Sequence, residues 1–126
     1  MNERQRFNAQ EQARDLSVFY RGICQGCGRR GWQMAHRIGK GTGNRAMVEN
    51  ILRRRGLHVH SLVLDAIMHH PLNLVLSCDT CNSGFNIGND PEAVDALLSR
   101  IWTVLRDRGL IRHDPKSDAW KMTPDT

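Results

Sequence analysis

The most constraining feature of this sequence is a pair of identical cysteine spacings. Cys24 and Cys27 form one C-x2-C pair, Cys78 and Cys81 form another, and no other cysteine occurs in the 126 residues. A C-x2-C turn presents two sulfurs from one short segment, and a tetrahedral zinc ion binds four thiolates at about 2.3 Å. The spacing therefore predicts one structural Zn²⁺ site that joins two segments with fifty residues between them.

Two other interpretations of the cysteines stay open: they could be reduced core residues or two redox-active pairs. A redox C-x2-C pair ordinarily lies at the start of a helix in a β-α-β unit, and no such pattern surrounds either pair here. The first twenty residues contain no apolar segment of the kind found in secretory signals. We therefore expect a reducing, cytoplasmic setting, in a bacterial or phage-encoded protein, and no disulfides.

Length and periodicity together predict one mixed domain. The 126 residues provide material for a single core. Alternating residues 32–38 and the apolar run at residues 74–76 predict two short strands. Between them, one helix is predicted from a cap at Asn44 to a stop at Gly56, and a second over residues 61–69. The predicted class is α+β and mostly helical, a ββα-metal core held by the four-cysteine zinc site.

Helices are predicted on both sides of this core, which spans residues 22–88. An amphipathic pattern predicts an N-terminal helix over residues 1–21. An Asp-Pro-Glu start, with Asp as cap and Pro at the first helical position, predicts a C-terminal helix over residues 90–109. Residues 114–126 are predicted to be a tail, loosely held or docked by the ring of Trp120 alone.

Positive charge is concentrated in one part of the chain. Residues 21–55 contain nine arginines and lysines against Glu49 alone, a net charge of +8, whereas the whole chain carries +5. Arginine suits phosphate because its planar guanidinium binds two oxygens at once. DNA is therefore the expected partner, with a solvated basic surface as the alternative. The six candidate contacts are Arg37, Lys40, Arg45, Arg53, Arg54 and Arg55.

Three polar residues have fixed places relative to the cysteines and strands. His36 lies near the end of the first predicted strand, Asn73 directly precedes the second, and Asn82 directly follows Cys81. This ordered set resembles the HNH endonuclease family in its zinc-containing form. That family has a histidine at the end of a first strand, an asparagine ahead of a second strand, and a metal-binding His or Asn on the following helix. The resemblance covers roughly residues 24–86, half of the chain.

The resemblance implies a metal-dependent endonuclease that hydrolyses DNA phosphodiester bonds. His36 would be the general base that activates water, since an imidazole titrates near neutral pH. Asn82 would give one oxygen to a catalytic Mg²⁺ or Mn²⁺, which would stabilise the leaving group while water and substrate phosphate complete its coordination. Asn73 would tie the loop that carries the histidine and would not contact substrate.

One position departs from the family pattern. Many HNH enzymes have an Asp or His metal ligand just before the catalytic histidine, but this chain has Ala35, whose methyl group cannot bind a metal. Asn86, one helical turn beyond Asn82, is the nearest candidate for a second ligand of the catalytic ion. His69 and His70 are the alternatives. Weak metal binding with loss of activity is a further outcome that the sequence leaves open.

Three functional hypotheses stay open from the sequence. The first is the HNH endonuclease. The second is a non-catalytic, zinc-stabilised nucleic-acid-binding protein that uses the same basic segment, and the third is a zinc-containing protein-interaction domain. The apolar runs are too short to cross a bilayer, so no membrane partner is expected. The sequence indicates neither an oligomeric state nor a base preference.

Overall fold

Three α-helices and two antiparallel strand pairs are present in a computed structural model that describes residues 18–39 and 41–124. The predicted mixture of helix and strand, with more helix than strand, is confirmed. The N-terminal helix predicted over residues 1–21 lies outside the described residues, except for residues 18–21. Lys40, one of the candidate DNA contacts, also lies outside them.

The first strand pair joins two segments that are far apart in the sequence. Strand β1 (Gln33–His36) runs antiparallel to strand β2 (Leu74–Ser77), with Gln33 opposite Ser77 and His36 opposite Leu74. Directly opposed residues share a face, and successive residues alternate between faces. One face of the pair therefore carries the side chains of Met34, His36, Leu74 and Leu76. The other face carries those of Gln33, Ala35, Val75 and Ser77.

Two helices lie in the segment between these strands. Helix α1 (Thr42–Arg54) begins two residues before the predicted cap at Asn44, and its N-cap is Gly41, which offers no side-chain hydrogen bond. The prediction of Asn44 as cap is therefore wrong, because that residue lies within the first turn. Helix α2 (Ser61–Met68) ends one residue before its predicted end, and most of its side chains are buried.

The third helix provides the main apolar face. Helix α3 (Pro91–Asp107) starts as predicted: Asp90 accepts a hydrogen bond from the Ala93 backbone N–H at 3.2 Å, and Pro91 occupies the first position. Its buried residues recur at helical spacing and join side chains of α1 and α2 in one core. Those buried residues are Val94, Leu97, Leu98, Ile101, Trp102 and Leu105. No helix in the described ranges has the length and apolarity needed to span a membrane.

The expected C-terminal tail is instead a β-hairpin. Strand β3 (Ile111–Asp114) pairs antiparallel with strand β4 (Ala119–Met122). Trp120 packs edge-on against Trp102 of α3, with ring centroids 5.1 Å apart, but it does not dock the hairpin alone. Its backbone also hydrogen bonds to the chain just before α2, which a loosely held segment would not do. Strand β3 has three polar residues in succession and β4 is mostly apolar, so neither four-residue strand shows an alternation long enough to predict from sequence.

Candidate functional site

The four cysteines come together as predicted. Their sulfur atoms all lie within 4.8 Å of one another, and the Sγ atoms of Cys27 and Cys78 are 3.8 Å apart. Thiolates at about 2.3 Å from a tetrahedral ion are separated by roughly 3.8 Å, whereas a disulfide bond measures about 2.05 Å. All four are free cysteines. The cluster could therefore bind a metal ion such as zinc, and the clustering part of the prediction is confirmed.

Strand pairing positions the first cysteine pair against the second. The Gln25 backbone N–H donates to the Leu76 carbonyl at 3.0 Å, and the Trp32 N–H donates to the Ser77 carbonyl at 3.0 Å. Between the cysteines, a Cβ atom at Gly26 would lie 2.9 Å from both Cβ and Sγ of Cys81. A glycine is needed there because any side chain would displace a sulfur from the cluster.

The pKa values of two cysteines in the cluster are shifted in opposite directions. Burial would raise the pKa of Cys24, but hydrogen bonds from the backbone of Cys27, Gly26 and Cys78 outweigh it and lower that pKa to about 6. Hydrogen bonds to the sulfurs of Cys78 and Cys24, together with burial, raise the pKa of Cys81 to about 12. Since metals bind thiolates, metal binding at this cluster would release protons.

His36 lies at the end of β1 and faces a second imidazole. Its Nε2 is 3.4 Å from Nδ1 of His69, and the two rings meet edge to face with centroids 5.4 Å apart. His69 is the C-cap residue of α2, so its position is set by the end of that helix. The side chain of His36 is half-buried.

Asn73 links the segment after His36 to the end of α2. Its side chain is buried, and its Oδ1 accepts a hydrogen bond from the Ile38 backbone N–H at 2.8 Å. Its Nδ2 donates to the carbonyls of Ile38 at 3.1 Å and Met68 at 2.7 Å. The Arg37 N–H also donates to the Asn73 carbonyl at 2.8 Å. Asn73 is thus a buried structural residue that fixes the chain on the C-terminal side of His36.

Asn82 lies on the other side of the strand pair. It begins a 3-10 turn (Asn82–Phe85), and its Nδ2 donates to Gln33 Oε1 at 3.0 Å and to Ser77 Oγ at 3.2 Å. Both partners belong to the face opposite His36. Among the described residues, no hydrogen bond joins Asn82 to His36. The structure therefore brings Asn73 close to the backbone near His36 but does not bring the two proposed catalytic side chains into contact.

Asn86, the first candidate for a second ligand of the catalytic ion, does not lie where the sequence predicted, whereas the alternative His69 lies beside His36. The 3-10 turn ends at Phe85, and Asn86 has an extended backbone with its Oδ1 accepting from the Gly88 N–H at 2.7 Å. Asn86 is therefore not one helical turn beyond Asn82, because the helix does not continue that far. Ala35 is fully buried, and its methyl group cannot bind a metal.

His70 has a structural position of its own. Its Nδ1 accepts a hydrogen bond from the Leu72 N–H at 3.1 Å, which caps the 3-10 turn Pro71–Asn73. Burial, reinforced by the positive charge of Arg108, lowers the pKa of His70 to about 4. The neutral imidazole is therefore the form that the fold accommodates.

Several candidate DNA-binding arginines are paired with carboxylates. Arg45 forms an ion pair with Asp65, Arg55 with Asp95, and Arg53 reaches Glu49 at 3.7 Å. Arg54 donates instead to a carbonyl of its own helix. The basic segment is thus partly neutralised by acidic residues from α2 and α3, which charge counting along the sequence could not show.

Arg37 lies along an open groove, and the same groove contains Arg100, which was not among the residues predicted from the sequence. The groove has a volume of about 470 Å³, and Arg100 belongs to α3. Arg100 belongs to the acidic C-terminal part of the chain, so a search for basic segments passes over it. Helical spacing was an available signal, since Arg100 follows Ala96 by four positions and Leu97 by three on the same helix.

The cysteine cluster is, within the described ranges, the one group of three or more His, Cys, Asp or Glu side chains that could hold a metal. A second cluster of that kind for Mg²⁺ or Mn²⁺ is not formed there. Comparisons with protein-family models, with curated proteins and with solved structures found no match to this chain.

Proposed function

We propose that this protein is a zinc-stabilised endonuclease of the HNH type that hydrolyses DNA phosphodiester bonds. The observation that carries the proposal is the set of hydrogen bonds made by Asn73. Its side chain fixes both backbone polar groups of Ile38, two residues after His36. This is the task that the family resemblance gives to the asparagine, and it holds the end of β1 in one conformation.

His36 is the general base in this proposal. Its half-buried imidazole stands at the end of a strand, where it is supported from one side by His69. A neutral imidazole can accept a proton from water at physiological pH. His69 lies at the end of α2, and its imidazole contacts the ring of His36 and helps to orient it.

Zinc has a structural task. In the cysteine cluster it would be held by Cys24, Cys27, Cys78 and Cys81, a closed set of four sulfurs with no place for substrate. It would hold the strand pair together next to His36 without taking part in hydrolysis.

The residues present give only a partial fit to a catalytic Mg²⁺ or Mn²⁺. Asn82 uses its Nδ2 for both of its hydrogen bonds, which leaves an amide oxygen of the kind such ions accept. Neither Ala35 nor Asn86 adds a ligand beside it. When bound, the ion would neutralise charge on the leaving oxygen.

A specific observation favours a second candidate function, that of a zinc-stabilised nucleic-acid-binding protein without catalysis. Asn82 and His36 lie on opposite faces of the strand pair, and the position before His36 is a buried alanine. A catalytic ion held at Asn82 would then be remote from the base. Binding of nucleic acid through the arginines does not need the two side chains to meet.

A plasmid-nicking assay separates the two candidates. Purified zinc-loaded protein is incubated with supercoiled plasmid and either Mg²⁺ or Mn²⁺, using wild type, His36→Ala and the control His58→Ala, which alters an exposed histidine. The endonuclease predicts nicking that falls at least about 100-fold in His36→Ala and is unchanged in the control. Equal nicking by His36→Ala would refute the assignment of the base. DNA binding without nicking by wild type would support the non-catalytic candidate.

A further inference from the structure

Two open grooves of the molecule differ in their charge. The first, of about 650 Å³, lies between α1 and the start of α3, and its charged lining residues are Arg54, Arg55, Glu92 and Asp95. The second, of about 470 Å³, contains Arg37 and Arg100 but no carboxylate. We call the second one the Arg37–Arg100 groove. The first groove is balanced in charge, whereas the second carries two uncompensated positive charges.

The two arginines of this groove also differ from the other arginines in their pairing. Arg45, Arg53, Arg55 and Arg106 each form an ion pair with an Asp or Glu. For Arg37 and Arg100, no carboxylate among the described residues lies within ion-pair distance. Two guanidinium groups that converge on one groove without a counter-charge raise the local concentration of anions there.

The remaining lining of the groove is apolar and aromatic. Tyr20, Leu72 and Ile87 form part of it, beside the short turn at Pro71. Its volume falls in the range of small-ligand sites, which is about 300–1,000 Å³. A site with guanidinium groups and an aromatic ring suits one nucleotide of a strand, because arginine binds the phosphate and the base packs on the ring.

The groove adjoins the face of the strand pair that carries His36. Leu74 lines the groove and stands directly opposite His36 in the β1–β2 register, so both side chains are on the same face. Arg37 follows His36 in sequence and places its backbone carbonyl at 2.7 Å from the Ile87 N–H, on the groove wall. Asn82 lies on the other face and has no part in this site.

We propose that the Arg37–Arg100 groove binds a phosphate of a nucleic-acid strand, with the attached nucleoside against Tyr20. This inference rests on the proposed function, and it adds Arg100 as a substrate-binding residue and assigns substrate to the His36 face of the protein. The sequence-predicted arginines of α1 are secondary contacts, since two of them are occupied by acidic partners.

Fluorescence anisotropy tests the proposal on the full zinc-loaded chain. The probes are a labelled 12-nucleotide single strand and a 12-base-pair duplex, with Ca²⁺ in place of Mg²⁺ to prevent turnover. Affinity is measured at several salt concentrations for wild type, Arg37→Gln and Arg100→Gln. The matched control is Arg106→Gln, an exposed arginine of the same helix whose partner is Asp107. Circular dichroism and zinc content verify that each variant is folded.

The expected result is a specific loss for the groove variants. Each of Arg37→Gln and Arg100→Gln should weaken strand binding at least fivefold and reduce the slope of log K against log salt by about one, because one phosphate contact is lost. The control should keep the wild-type slope. If the groove variants have the same slope as Arg106→Gln, the proposal is overturned.

A second probe distinguishes a strand from a free nucleotide, since both carry the same phosphate chemistry. Unlabelled dAMP is titrated as a competitor, and the arginine Nε–H signals are followed by nuclear magnetic resonance. Shifts of the Arg37 and Arg100 signals on strand binding, with dAMP far weaker than the strand, support the proposal. Equal affinity for dAMP and the strand would overturn it in favour of a free-nucleotide site.

The outcome is separable from the test of the endonuclease. His36→Ala should abolish nicking yet keep wild-type strand affinity, because it leaves the groove intact. A wild type that does not nick DNA, but whose binding depends on Arg100, refutes the endonuclease and retains the groove. If wild type nicks DNA but the Arg37 and Arg100 variants bind as tightly as wild type, the groove proposal is refuted and the endonuclease is retained.

Discussion

The two halves of this protein are stabilised in different ways. The knuckle half, residues 22–38 and 74–88, contains the cysteine cluster and a small apolar cluster with Leu74 and Leu76 as its buried members. The helical half, residues 42–68 and 91–122, contains nearly all of a core with fifteen buried residues. With Ala35, Ile38 and Val75 as its other buried apolar residues besides the cysteines, this half has too little apolar burial to offset the entropy of ordering its residues. We therefore expect the knuckle half to depend on a metal ion at the cysteine cluster, whereas the helical half depends on apolar burial.

The two halves are joined by hydrogen bonds of one buried asparagine. They meet at Asn73, whose hydrogen bonds reach Ile38 at the end of β1 and Met68 at the end of α2. His36 and His69 face each other across the same boundary. The candidate site thus lies at the junction of the two halves. Loss of structure in either half should therefore alter the site. Perturbations that act on one half at a time measure how separate the halves are.

Removal of the metal site should have the largest effect. We predict that Cys81→Ser, or withdrawal of zinc by a chelator, unfolds the knuckle half while α1, α2 and α3 keep helical structure. Zinc binding contributes about 10 kcal/mol or more in small zinc-dependent folds, so its loss should outweigh what the few buried apolar residues of this half contribute. Amide nuclear magnetic resonance should show loss of dispersed signals from residues 22–38 and 74–88.

The control for this prediction is Thr80→Ser, which changes an exposed neighbour between the two cysteines. It should keep one zinc per chain and the wild-type spectrum. A Cys81→Ser protein with bound zinc and unchanged melting would contradict the metal dependence of this half.

A core substitution in the helical half should come next. Leu98 is almost completely buried in the face of α3. We predict that Leu98→Ala lowers the free energy of unfolding by about 4 kcal/mol, through lost burial and the cavity left behind. Urea denaturation followed by circular dichroism measures the loss. The folded variant should still bind one zinc, and loss of zinc under native conditions would show that the halves are not separate.

A substitution at the junction should be somewhat milder. Asn73→Ala removes three hydrogen bonds and leaves the Ile38 N–H and the Met68 carbonyl without their buried partner. We predict a loss of about 3 kcal/mol in urea denaturation, because buried unsatisfied groups are costly. Asn50→Ala, at an exposed position of α1, is the matched control and should change stability by less than about 0.5 kcal/mol. Similar values for both variants would remove Asn73 from its linking role.

Acid should produce the smallest of these effects. The pKa of His70 is about 4 in the fold, below its ordinary value of 6.5, so the unfolded chain binds this proton more readily. Its contribution to stability is present above pH 6.5 and is lost as the pH falls from 6.5 towards 4. We predict that wild type loses roughly 1–2 kcal/mol more than His70→Asn between pH 7 and pH 5.

Asparagine keeps a side-chain acceptor for the Leu72 N–H but does not titrate, which makes His70→Asn the suitable comparison. Thiol protonation affects both proteins equally over this pH range and cancels in the difference. Parallel losses of stability in the two proteins would show that another group is responsible.

Local patterns in the sequence were sufficient for part of this structure. The apolar spacing of α3 and its Asp90 cap depend on residues close together in the chain, and both predictions are confirmed. The repeated C-x2-C spacing also predicted correctly that the two remote pairs come together. The β3–β4 hairpin was missed because the contacts that hold it, Trp120 against Trp102 and the backbone hydrogen bonds to residues 58 and 60, are made by tertiary structure.

Parts of the candidate site needed distances that a sequence does not contain. The placement of His36 and Asn82 on opposite faces follows from the register of β1 with β2, which is set by segments about forty residues apart. The pairing of Arg55 with Asp95 and the placement of Arg37 and Arg100 along one groove likewise involve remote segments. Charge counted along the chain does not distinguish these arginines. In the fold, Arg55 is paired with a carboxylate, whereas Arg37 and Arg100 line a groove that contains none.

The long separation of the two cysteine pairs sets an order of events during synthesis. Cys27 precedes Cys78 by 51 residues. At a translation rate of about 5–20 residues per second, the first pair is made roughly 3–10 seconds before the second. During that interval a metal ion would find two sulfurs instead of four. The half of the protein that carries His36 is therefore completed only after Cys81 has left the ribosome.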